Sequence, residues 1–240
     1  FYLGAHLYER GATFVDSFRW TPDAGSKILL IDKNDLESQR WFDAPPGFVF
    51  HNAHAFDRGS DIVLRTCLYS TAGIMDSGMF ELMRGPSPAD YPDYPRARLT
   101  TITLNLRSGR TRVNSSDTLL EFPGIDPRYA GGATAVHGVG HGGGARPAYS
   151  NSVVRLDPES DRVSRYVFPA AHIVEEPLIV AAESRDPKAG WLIGTFLDVA
   201  AGQTGVYVFD AQAVDAGPVA LARMPRSVPL GFHGCFVRAA

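Results

Sequence analysis

The chain has 240 residues, 45% of them hydrophobic, and a formal net charge of −3. That size fits one large domain or two small ones with a sizeable buried core. The charge leaves no electrostatic footprint for nucleic acid, and no apolar run reaches the roughly 20 residues of a membrane-spanning helix. The two cysteines, Cys67 and Cys235, lie far apart and outside any CxxC pattern. They read as buried, reduced thiols of a cytoplasmic protein, with a single disulfide as the alternative. No signal peptide or initiator Met is present, and Phe1-Tyr2-Leu3-Gly4 already reads as strand, so residues are expected upstream.

In chain order the predicted elements are strands. They cover Lys27 to Asp32, Asp61 to Tyr69, Leu99 to Leu106, Ser152 to Asp157, Arg162 to Phe168, Gly190 to Leu197 and Gly205 to Asp210. Each is rich in β-branched or aromatic residues and bounded by Gly, Pro, Asp or Ser. Ile74 to Arg84 is the best short-helix candidate, and Pro86 to Pro95 reads as an extended surface excursion. Two histidines, His137 and His141, fall four apart within Gly131 to Gly144. They would share a face on a helix, but glycines at that density do not hold one. The stretch is therefore expected to be a flexible or site-lining loop.

Four segments repeat one grammar of strand, turn and returning strand: Ile28–Phe42, Ile102–Val113, Val153–Phe168 and Val206–Pro225. Hairpins spaced in this way suggest the blades of a β-propeller, with a sandwich or barrel as the alternative.

The candidate chemistry begins at the end of the chain, in Gly231-Phe232-His233-Gly234. Terminal residues are normally frayed. A His flanked by glycines there suggests a tail drawn inward to a site, although a lone His is more often structural. A second His, in Phe50-His51, follows a similar Pro46-Gly47-Phe48 approach. Two glutamates lie in apolar surroundings, Glu121 in Leu120-Glu121-Phe122-Pro123 and Glu176 in Glu175-Glu176-Pro177-Leu178-Ile179-Val180. Neutral imidazole is the commonest metal ligand, and a ligating His usually passes its other N–H to a carboxylate. Two His and two Glu suit such a centre. The bland alternatives are a turn cap for Glu121 and a surface ion pair for Glu176.

These residues resemble the carotenoid cleavage oxygenases, a family that includes stilbene-cleaving dioxygenases. The likeness runs through Phe18-Arg19-Trp20, Trp41-Phe42, Phe50-His51, Glu121-Phe122-Pro123, Glu176-Pro177, Gly190-Trp191-Leu192 and Gly231-Phe232-His233-Gly234. It implies an all-β, seven-bladed β-propeller holding a non-haem Fe(II) on four His, three of them oriented by Glu. His51 then matches the third ligand and His233 the fourth, and Glu121 and Glu176 match two of the orienting carboxylates. The resemblance also makes Phe122, Tyr129 and Phe232 candidate walls of a substrate tunnel or site, with core packing the alternative for each.

Two departures stand out. His54 stands where the family has Asn, and Asp57 where it has Glu. His54 lies three residues from His51, which on a strand places it on the opposite face. The first two His ligands and one Glu have no counterpart here, and His6 lacks their surroundings. Residues 1–240 are thus expected to form a single domain, the C-terminal half or more of a propeller lacking its N-terminal part.

The implied activity is O2-dependent cleavage of a carbon–carbon double bond in a carotenoid, apocarotenoid or stilbene, giving two carbonyl products. The implied partners are an apolar small molecule and O2, with peripheral membrane contact compatible and no partner protein indicated. The alternative is a non-catalytic propeller module or an inactive fragment. A propeller hydrolase ranks last, because no GxSxG motif is present. Exposed sheet edges predict that the isolated chain associates or aggregates.

Overall fold

The computed structural model describes residues 2–3, 9–11, 17–77, 95–142, 149–157, 160–186 and 188–237. Strands β1 (Tyr2–Leu3) and β2 (Phe18–Arg19) pair antiparallel. Next comes the hairpin β3 (Ser26–Asp32) and β4 (Asp35–Ala44). A four-stranded meander follows: β5 (Phe48–Arg58), β6 (Asp61–Tyr69), β7 (Arg98–Asn105) and β8 (Thr111–Leu119). A second meander holds β9 (Glu121–Ile125), β10 (Val136–Gly140), β11 (Ser152–Leu156) and β12 (Val163–Val167).

The last sheet has β13 (His172–Val174) and β14 (Leu178–Ala181) end to end along one edge of β15 (Gly190–Asp198), then β16 (Gln203–Asp210) and β17 (Ala220–Arg223). All four repeated segments are antiparallel hairpins, β3–β4, β7–β8, β11–β12 and β16–β17. A short α-helix, α1 (Gly73–Ser77), follows β6, and among the described residues no helix is long and apolar enough to cross a membrane.

Successive sheets pack face to face, so the core forms in layers. Phe42 from the first hairpin meets Ile102 and Leu104 of the first meander. Cys67 and Leu99 meet Leu120, Val136 and Val154 across the next interface. Val139 and Val153 then meet Leu192, Phe196, Tyr207 and Phe209. Fully burying side chains of this size contributes about 1.5–3 kcal/mol each.

Several expectations change. Within Gly131 to Gly144, Val136–Gly140 is a strand buried along its whole length rather than a loop. Both of its faces are covered, so it lacks the alternation that marks a half-exposed strand. Its glycines serve close packing: a Cβ on Gly138 would lie 2.6 Å from the Glu121 carbonyl oxygen. Cys235 is exposed, whereas Cys67 is buried, and both are free thiols. The helix expected over Ile74 to Arg84 is described only as α1, and residues 78–84 lie outside the described set. So do residues 86–94 of the Pro-rich run, and Phe1, Gly4 and His6.

Candidate metal centre

The inner strand of each of the last three sheets slips register at the residue that faces the site. In β5, Val49 pairs with Leu68 and Asn52 with Thr66, so Phe50 and His51 together oppose Cys67 alone. In β9, Glu121 pairs with Val139 and Gly124 with His137, so Phe122 and Pro123 oppose Gly138. Along β15, Phe196 pairs with Val174 and Ile193 with Leu178, so Glu175, Glu176 and Pro177 oppose Gly194 and Thr195. Each slip is a β-bulge, which bends the strand and re-aims its side chains. Phe122 marks the strain of one of them, with φ at 49°, a left-handed conformation uncommon for a bulky residue.

The three bulges and the tail bring the predicted residues together. The His51 Nδ1–H donates to Glu121 Oε2 at 2.7 Å, and the same oxygen accepts the Phe122 N–H at 3.0 Å. The His233 Nδ1–H donates to Glu176 Oε1 at 3.2 Å, while Glu176 Oε2 accepts the Gly234 N–H at 3.0 Å. The two imidazoles then face each other, Nε2 to Nε2, at 3.2 Å. With both Nδ1 protons committed to carboxylates, both Nε2 atoms present lone pairs. Two lone pairs at that distance repel unless something positive lies between them.

The donor set fits a metal ion. Two imidazole nitrogens about 2.1 Å from one cation stand about 3.0 Å apart at a right angle and about 3.4 Å at the tetrahedral angle. The observed 3.2 Å falls between those limits. Among the described residues no three His, Cys, Asp or Glu side chains group together in this way.

Aromatic rings close around the pair. The Phe122 ring centroid lies 5.0 Å from that of His51 and 5.5 Å from that of His233. The Phe232 ring lies 6.1 Å and 4.8 Å from the same two. His51 opens onto a cavity of about 400 Å³ walled mostly by apolar side chains, among them Phe50, Tyr69, Leu120, Val139 and Phe232.

Other candidates fall elsewhere. Tyr129 does not wall this cavity. It sits on the 3-10 turn Pro127–Tyr129, which Asp126 caps through the Arg128 N–H, and lines a separate cavity with Asp126, His137 and Arg155. The turn follows the far end of β9 from Glu121, and five residues at about 3.3 Å each separate the two. His54 stacks on Phe56, ring centroids 5.2 Å apart, on the buried face of β5. Burial first, and the nearby Arg65 charge second, push its pKa down to about 4. His137 is buried and donates from Nε2 to the Ala211 carbonyl at 3.0 Å. Desolvation holds its pKa at about 4.

Glu176 lies in the break between β13 and β14 rather than within a strand. Sequence reasoning gave no role to three contributors to the site. Arg96 and Tyr149 line the His51 cavity, and Glu175 grips the tail. His141 also lines it, at the end of the stretch read as a flexible or site-lining loop.

Comparison with known proteins shows the family and the fold. The family model described as retinal pigment epithelial membrane protein, RPE65, matches residues 2–238. The carotenoid 9,10(9',10')-cleavage dioxygenase 1 of Pisum sativum is 25% identical, aligned over 95% of this chain and 44% of its own length. The isoeugenol monooxygenase of Pseudomonas nitroreducens is 26% identical over 92% of this chain and 48% of its own. The fold superposes on cobalt-substituted Synechocystis apocarotenoid oxygenase with a TM-score of 0.86 and 20% identity, over 99% of this chain and 49% of that one. The chain thus spans less than half the length of these relatives, and its sheets correspond to about half of that propeller. It belongs to the RPE65, or carotenoid cleavage oxygenase, family.

Proposed function

We propose that the protein is a non-haem Fe(II)-dependent oxygenase that cleaves a carbon–carbon double bond of a carotenoid, apocarotenoid or stilbene with O2, leaving two carbonyl products. The observation that carries this reading is the facing pair of Nε2 atoms, 3.2 Å apart, each imidazole held from behind by its own carboxylate. Glu121 and Glu176 keep both rings in the Nδ1–H form, so both lone pairs converge on one point. His51 and His233 would hold the iron, which when bound supplies the reaction between O2 and the double bond. Phe122 and Phe232 flank that point, and the apolar cavity beside His51 suits a hydrocarbon chain or aryl ring.

Iron analysis and O2-dependent cleavage of resveratrol-like stilbenes and β-apocarotenals, on the longest polypeptide carrying this sequence, test the proposal. Iron together with two carbonyl products supports it. Absence of iron with both histidines intact overturns it. A second reading, a binding module built on the same sheets, is favoured by one observation: two imidazoles stand at the site without a third ligand among the described residues. Tight binding of an apolar ligand without iron or turnover would establish that reading.

A further inference from the structure

The geometry points to Glu175 as a positioning residue that fixes the C-terminal loop and thereby sets where His233 stands. This rests on the reading of His51 and His233 as one metal-binding pair.

Consecutive residues on a regular strand point to opposite faces. Glu175 and Glu176 nevertheless both reach the tail, because the bulge opposite β15 frees them from that alternation. Glu175 Oε1 accepts the Gly231 N–H and Glu176 Oε2 accepts the Gly234 N–H. The two carboxylates therefore clamp the loop on both sides of Phe232 and His233. Upstream, the Val228 N–H donates to Thr204 Oγ1 at 3.0 Å. These ties from Val228 to Gly234 all run to side-chain oxygens, so the loop takes its shape from the sheet's side chains rather than from a backbone ladder.

Glu175 is itself held on every side. Its N–H donates to the Thr195 carbonyl at 3.0 Å, and its Oε2 accepts the Thr195 hydroxyl. Its carbonyl oxygen accepts the Tyr207 hydroxyl at 2.8 Å. Tyr207 is fully buried and reaches Glu175 by crossing over Gly194, where any Cβ would overlap its hydroxyl. Desolvation keeps that phenol well above its ordinary pKa, so it remains a donor. A fully determined carboxylate of this kind can impose a position instead of adapting to one. Glu176 orients the His233 ring; Glu175 places the backbone that carries it.

The test compares wild type, Glu175→Ala and Glu175→Gln in the longest polypeptide carrying this sequence. The readouts are amide hydrogen exchange over residues 228–236 without metal, and Co(II) affinity with its visible absorption. Glu175→Ala is expected to speed exchange at Gly231 and Gly234 by about tenfold and to weaken Co(II) by about tenfold, the lower end for partners behind a ligand. Glu175→Gln keeps an acceptor oxygen and should fall between. Unchanged exchange and unchanged affinity in Glu175→Ala overturn the inference. Exchange accelerated evenly over the whole chain also overturns it, since that marks a general loss of stability. If wild type binds no Co(II), the metal reading fails, and exchange at Gly231 and Gly234 alone decides whether Glu175 anchors the loop.

Discussion

Glu121 and Glu176 perform the same task with unequal geometry, and the inequality predicts an order. The His51–Glu121 bond measures 2.7 Å, between side chains 20% and 15% exposed. The His233–Glu176 bond measures 3.2 Å, with His233 50% exposed. A hydrogen bond to a charged group contributes about 1.5–3 kcal/mol, and the contribution shrinks with length and solvent screening. Assigning about 2 kcal/mol to the first pair and about 1 kcal/mol to the second gives losses of about 30-fold and about 5-fold when each carboxylate is neutralised. In both Glu121→Gln and Glu176→Gln a carbonyl oxygen can still accept the imidazole N–H; in Glu176→Gln the amide NH2 then faces the Gly234 N–H, so the Gly234 bond is lost as well. Co(II) titration followed by visible absorption, with a thermal melt to confirm folding, measures the effect. Equal losses, or a larger loss for Glu176→Gln, would refute the assignment of ring orientation to these bonds.

Three further outcomes follow from burial. His54 and His137 have folded pKa values near 4, below the ordinary 6.5, so the unfolded chain binds protons first as pH falls. Their contribution is complete above about pH 6.5 and declines from there toward pH 4, by about 2 kcal/mol each between pH 7.5 and 5. Urea unfolding across that range should show the slope, and His54→Leu combined with His137→Leu should flatten it; a slope that persists in the double variant sinks the explanation. Gly138→Ala should destabilise by about 1–3 kcal/mol, because its methyl would meet the Glu121 carbonyl oxygen at 2.6 Å, and a neutral result in chemical denaturation would contradict that packing. Leu192→Ala, at a wholly buried position between the last two sheets, should lower stability by about 2–5 kcal/mol in the same assay.

Much of the architecture was legible in residue pattern. The strand read over Asp61 to Tyr69 has the same bounds in the structure, and the four hairpin segments all pair as expected. Those segments alternate or are strongly β-branched. Buried Val136–Gly140 was missed because its sequence reads as glycine punctuation, and only the approach of β9 explains why Gly138 is needed there.

The four site residues were legible through motifs and not through periodicity. His51 and Glu176 sit within register slips and Glu121 borders one, and a one-residue slip is invisible to any count of alternating positions. Glu175 was hidden by its neighbour, since strand alternation sends adjacent carboxylates to different faces. Tyr129 lines a cavity other than that of His51, on the turn that Asp126 caps after Ile125.

The facing imidazoles are separated by 182 positions along the chain. Between them lie β6 through β17, and with them two of the three packing layers. Anything that joins the two rings therefore converts a linear polypeptide into a closed ring of backbone. In the chain-entropy view, tying a loop of more than 100 residues removes about 5 kcal/mol of freedom from the unfolded ensemble. A bound ion would then act as a mechanical clasp. Its removal would loosen the whole run of sheets, and chelation should lower the melting temperature of strands far from the histidines as well as of the tail.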